Sequence, residues 1–189
     1  MKKLFPILLI VIGFGFVAGG GYAVYRGLDA RDEVRDELVA QNIVTPDDAS
    51  IPGVVVDDVT SARSMAAIIE THQLESTGGL TFSEMGRFMT PDGDPAGTSN
   101  EDEAVIGADG RPVANPLRNT AFQASALRTS LFSSVMAFEI STLVVGIGAM
   151  VLILGVAVGG VGVALAALAM PRLAHRFHVD PPLTVTPVA

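Results

Sequence analysis

Residues 143–170 read LVVGIGAMVLILGVAVGGVGVALAALAM, 28 residues without a single charge. An α-helix rises 1.5 Å per residue, so about 20 such residues cross the roughly 30 Å of bilayer hydrocarbon. A second uncharged run, LFPILLIVIGFGFVAGGGYAV at residues 4–24, passes the same test. The two runs predict an all-α membrane protein in which two transmembrane helices, residues 4–25 and 141–170, enclose a mostly helical extracytoplasmic domain at residues 26–140. The second span is expected to be continuous with a long preceding helix. Residues 1–3 and the Pro-containing tail 171–189 are then the cytoplasmic ends.

The middle of the chain has a different chemistry from its ends. The positive mean hydropathy belongs to the two runs. Residues 26–140 hold 8 arginines, no lysine and 19 acidic residues, a net charge of −11 against −8 for all 189 residues. A surface of that sign repels nucleic acid and anionic headgroups and attracts cations or basic protein patches. Cysteine is absent, which removes disulfides, thiolate metal sites, cysteine nucleophiles and cysteine lipidation. With no Trp and only Tyr22 and Tyr25, the domain depends on aliphatic packing and on its anchors.

Orientation follows from the flanking cations. Lys2 and Lys3 precede the first run, and Arg172 and Arg176 follow the second. Arg26, Arg31 and Arg35 oppose this, but they alternate with acids and precede a long segment, where the rule has little force. Both termini are therefore placed in the cytoplasm. Pro6 falls in the first helical turn, where its missing N–H costs nothing. A cleaved secretory signal is the alternative for this run, which exceeds the roughly 7–15 apolar residues of a signal core and ends without a clean cleavage site.

Glycines punctuate both spans. Gly15 and Gly19 form a small-xxx-small pair, and Gly148, Gly155, Gly159, Gly162 and Ala166 follow helical spacing along one stripe. Such stripes let helix backbones approach closely inside lipid, where packing replaces the hydrophobic effect.

In the middle, residues 28–41 carry charges at helical spacing, and residues 60–75 place Met65, Ile68 and Ile69 on one face. Thr81 and Glu84 have the spacing of a capping box opening a short helix through Phe88. Asn115-Pro116-Leu117 opens the long helix, with Leu127, Leu131, Val135 and Phe138 on one stripe. Residues 90–111 read as a flexible acidic loop. Within it, DGDPAGTSNEDE puts Asp92, Asp94, Gly97, Asn100 and Glu103 at positions 1, 3, 6, 9 and 12 of a calcium loop. Ala96 at a ligand position and Pro95 before it count against calcium, leaving it as a secondary reading.

No phosphate-binding, zinc-peptidase or nucleophile-elbow motif is present. His72, with Glu70 and Glu75 close in sequence, is a bare sketch of an acid/base or metal site, and Glu139 beside the second run is expected to be hydrated. In its Lys-rich start with a glycine-punctuated span, in DDASIPG at 47–53 and ESTGGLT at 75–81, and in NPLRN at 115–119 entering AFQASAL at 121–127, the chain resembles a group of uncharacterised two-pass membrane proteins from actinobacteria. Some members of that group carry a label of aromatic-ring-opening dioxygenase, and this sequence has no His/His/carboxylate iron set to match it. The expectation is a non-enzymatic envelope scaffold or accessory subunit that docks on other membrane or cell-wall components. An extracytoplasmic cation or small-molecule sensor coupled through the second span is the alternative, and an enzyme using His72 is the third reading.

Overall fold

The computed structural model describes residues 4–169. Lys2, Lys3, Met170 and the tail 171–189, with Arg172 and Arg176, lie outside the described residues. Three α-helices are present among the described residues: α1, Leu4–Ala40; α2, Val59–Ser76; and α3, Pro116–Ala169. Two 3₁₀ turns, Phe82–Glu84 and Glu101–Glu103, complete the order, and the only β-type pairing among these residues is four isolated bridges.

Both long helices run without a break. The uninterrupted 54 residues of α3 join the second apolar run to the residues before it. The 37 residues of α1 do the same, so the separate helix expected at residues 28–41 is the continuation of the first run. Only Gly27 stands at that junction, and one interior glycine costs a helix about 1 kcal/mol, too little to end it. Helix α1 stops where Asn42 enters the left-handed region at φ 51°, a conformation that asparagine tolerates better than most residues.

The contacts divide the chain into two units. One contains the apolar halves of α1 and α3, and the other is Leu28–Thr142. The second unit has its own core of Leu38, Val56, Ala62, Ala66, Leu131, Val135 and Phe138, with Val34, Ile43, Val59, Met65 and Ile69 packed around it. The stripe read from sequence supplies three of these. Leu127, its fourth member, is 55% exposed. Ala62 and Ala66, both fully buried, keep α2 thin enough to lie close to its neighbours.

Local hydrogen bonding fixes the ends of α2. Asp58 is the N-cap: its carboxylate accepts from the Ser61 N–H at 2.7 Å, while the Ser61 hydroxyl accepts from the Asp58 N–H at 3.1 Å. This reciprocal box satisfies two donors that the first turn leaves without partners. At the other end Thr77 is fully buried, and Gly78 and Gly79 turn the chain at positive φ. The Thr81–Glu84 box is also formed, but it caps a single 3₁₀ turn instead of a helix through Phe88.

Residues 86–115 depart furthest from expectation. The segment read as a loose loop is woven into its surroundings by backbone bonds: Phe88 and Thr98 exchange two at 2.9 Å, and Met89 donates to Val113 and accepts from Val105, both at 2.9 Å. Glycine permits this approach. Gly97 sits at φ +62°, and a Cβ there would lie 2.5 Å from the Phe88 carbonyl oxygen and 2.7 Å from the Asn115 amide. Asn115 ties the weave to α3. Its side-chain oxygen accepts from Leu117 N–H at 3.1 Å, while its amide donates to the Pro95 carbonyl at 3.1 Å. Replacing Asn115 by Ala should therefore lower stability by about 2 kcal/mol, combining a lost cap with a lost buried bond. Asn115→Asp, which keeps the cap acceptor and loses the donor, should fall between, as measured by thermal unfolding.

Candidate functional site

The apolar halves of α1 and α3 run antiparallel and approach each other closely. A Cβ built on Gly13 would fall 2.5 Å from the Gly159 nitrogen and 2.7 Å from the Gly155 oxygen. One on Gly155 would fall 2.6 Å from the Val17 nitrogen, and one on Gly20 would fall 2.6 Å from the Gly148 oxygen. Gly162 meets Ile10 in the same way at 2.9 Å. Side-chain atoms never sit that close to a neighbouring backbone, so at these positions glycine is a requirement of the packing.

The geometry redistributes the sequence-read residues. Gly148, Gly155 and Gly162 lie in the contact at seven-residue spacing. Gly159 has only Gly13 near it, its own Cβ position 3.7 Å from the Gly13 Cα, and Ala166 is half-buried. Gly15 and Gly19 lie off this contact: a Cβ built on either would meet no neighbouring atom within 4 Å. The face of α1 that meets α3 carries Gly13 and Gly20, whose separation of seven matches the period of the partner stripe, whereas a separation of four does not. That match of period between the two runs is the signal that could have found them.

The residues of the calcium reading have local partners. Asp92 and Asp94 turn their carboxylates onto backbone N–H groups two residues on, Asp94 and Ala96 respectively. Glu103 accepts from the Thr98 hydroxyl and the Asn100 amide, both at 3.0 Å. Each group serves a local turn, and no cluster of three or more metal-ligating side chains occurs among the described residues.

His72 faces neither Glu70 nor Glu75. Its Nε2 lies 2.6 Å from an Asp48 carboxylate oxygen, and this bond holds the Asp48 carboxyl below its usual range. Glu70 accepts from Arg128 at 2.7 Å, and Arg35 donates to Asp57 at 2.5 Å. Glu139 pairs with Arg63 instead of standing alone in water. Both members of that pair are more than half exposed, so such a bridge contributes about 1 kcal/mol at most. An open groove of about 480 Å³ runs among Leu38, Ile43, Met65, Ile69, Leu127 and Leu131. Glu37 is the one ionisable group on its rim, so the groove holds no acid/base pair.

In comparison with known proteins, no family model, curated protein or solved structure matches this chain.

Two measurements check this geometry. Gly155→Leu should cost about 1–3 kcal/mol of hairpin stability through overpacking, whereas Gly15→Leu should change it little; melting of both variants in bilayer discs distinguishes them. The second concerns pH. Hydrogen bonds from the Ser61 N–H and hydroxyl hold the Asp58 carboxyl below its ordinary 3.8. A depressed acid stabilises the fold above its unfolded pKa and loses that contribution as pH falls through the folded value. Asp58→Asn should therefore flatten the loss of melting temperature between about pH 5 and pH 2, and an unchanged acid limb would refute the assignment.

Proposed function

We propose that the protein is a non-enzymatic two-pass membrane scaffold or accessory subunit. Its glycine-packed hairpin anchors an acidic, mostly helical extracytoplasmic domain that docks on other membrane or cell-wall components, with both termini in the cytoplasm. The observation that carries the membrane part is exposure. In the most apolar stretches of α1 and α3 only 17% and 11% of residues are buried, while Phe14, Met150, Ile153 and Leu168 are 65–80% exposed. A soluble protein does not leave so much contiguous apolar surface in water. Lipid is the surrounding that this surface fits.

The docking part is supported by how the domain uses its polar groups. Asp58 caps α2, Asp92 and Asp94 close turns, Glu70 pairs with Arg128, and His72 bonds Asp48. The arrangement offers a firm acidic surface in place of a reaction centre. Continuity of α3 favours the sensor as the second reading, because one unbroken helix is a route by which a bound ligand could be felt at the other end.

Topology is tested with single cysteines in this cysteine-free chain. In intact cells, a membrane-impermeant maleimide should label Ser99→Cys and leave Lys3→Cys unlabelled; the reverse pattern would invert the orientation. Function is tested by recovering the tagged chain in mild detergent. A scaffold brings stoichiometric envelope partners, whereas recovery of the chain alone favours the sensor.

A further inference from the structure

A pocket of about 420 Å³ opens beside the start of α3, among Phe82, Arg87, Asn115, Arg118, Asn119 and Phe122. Its two arginines differ from three others of this domain. Arg35, Arg63 and Arg128 each hold a carboxylate. Arg87 and Arg118 have none within ion-pair distance among the described residues, although acids outnumber arginines 19 to 8 in residues 26–140.

Both guanidinium groups are nonetheless held in place. The Arg118 guanidinium carbon lies 4.1 Å from the centre of the Phe82 ring, and its Nε donates to the Met85 carbonyl at 3.0 Å. Stacking and that single bond fix the plane of the group and leave its two terminal amino groups unused. Arg87 rests over Phe88 at 5.3 Å and reaches the Ser99 carbonyl only at 3.4 Å. The opposite character is also present. Phe82 and Phe122 meet at 5.5 Å between ring centres, and Phe122 is 54% exposed. Oriented cations without counter-charges therefore adjoin an uncovered aromatic wall in one cavity.

We propose that this pocket binds a carboxylate carried on an apolar group. The free fork of Arg118 matches two carboxylate oxygens, Arg87 adds a second cation, and Asn119 is a polar residue of the lining. The apolar body of the ligand covers Phe82 and Phe122. Phosphate fits less well, because a dianion meets the −11 field of the domain more strongly and has nothing to lay against the rings. The site stands whether or not the domain docks on envelope partners.

The test uses the full chain in lipid discs, with N-acetyl-leucine as probe and empty discs as control, read by saturation-transfer NMR. Binding in about the millimolar range is expected for so small a ligand. N-acetyl-leucinamide, the same shape without the charge, should bind at least about tenfold more weakly. Arg118→Gln should abolish the signal, but Arg118 also supports Phe82 and the Met85 turn. Arg87→Gln therefore serves as the second variant: exposed, and with no side-chain hydrogen bond shorter than 3.4 Å, it should weaken binding several-fold with unchanged melting. Equal binding of the amide, tighter binding of inorganic phosphate, or no effect of Arg87→Gln overturns the proposal. Extending the probe to N-acetyl-Ala-Ala-Leu separates two sources of the same chemistry. Tighter binding assigns a peptide C-terminus, and unchanged binding assigns a free small acid.

Discussion

Backbone meets backbone where Gly13 and Gly20 of α1 face α3, and a methyl group on Gly13, Gly20, Gly148 or Gly155 would fall within 3.0 Å of the opposite backbone. Both helices are long and apolar enough to cross a membrane, and in lipid, whose tails are as apolar as leucine, such helices would gain nothing by hiding leucines. Their association has to come from dispersion between closely fitted surfaces and from weak Cα–H to carbonyl contacts, both of which fall steeply with distance. The glycine register is therefore what distinguishes a defined hairpin from two independent spans. It also fixes the antiparallel alignment, since Gly20 pairs with Gly148 while Ile10 pairs with Gly162.

The domain formed by Leu28–Thr142 is held by different means. Aliphatic burial around Phe138, Val56 and Leu131 forms its core. Polar side chains then specify the connections. Asp58 and Ser61 start α2, and Asn115 starts α3 while gripping the Pro95 carbonyl. Several carboxylates are spent locally: Asp58 on Ser61, Asp92 and Asp94 on N–H groups two residues on, and Glu70 on Arg128. At the pocket of Arg87 and Arg118, charge is oriented by aromatic rings and meets no carboxylate among the described residues.

The two apolar runs, the α2 face and the Asn115-Pro116 start of α3 were legible because each rests on local rules of length, period and capping. The glycine stripe on α3 was legible for the same reason. Its partner on α1 was not: the i, i+4 spacing of Gly15 and Gly19 is a general pattern, whereas the contact depends on matching periods between segments more than 100 residues apart. The weave at residues 86–115 was hidden by its composition. Pro, Gly, Asp and Asn there serve turns that bring Phe88, Thr98, Val105 and Val113 together, and those pairings are non-local. Likewise the partner of His72 is Asp48, 24 residues away, not the acids beside it in sequence.

Solid-state NMR of the chain with labelled glycine Cα carbons in lipid bilayers tests the hairpin register most directly. The account predicts contacts between Gly13 and Gly159 and between Gly20 and Gly148, with none from Gly15 or Gly19 to α3. Contacts from Gly15 or Gly19 to the α3 glycines, or no interhelical glycine contact at all, would contradict it.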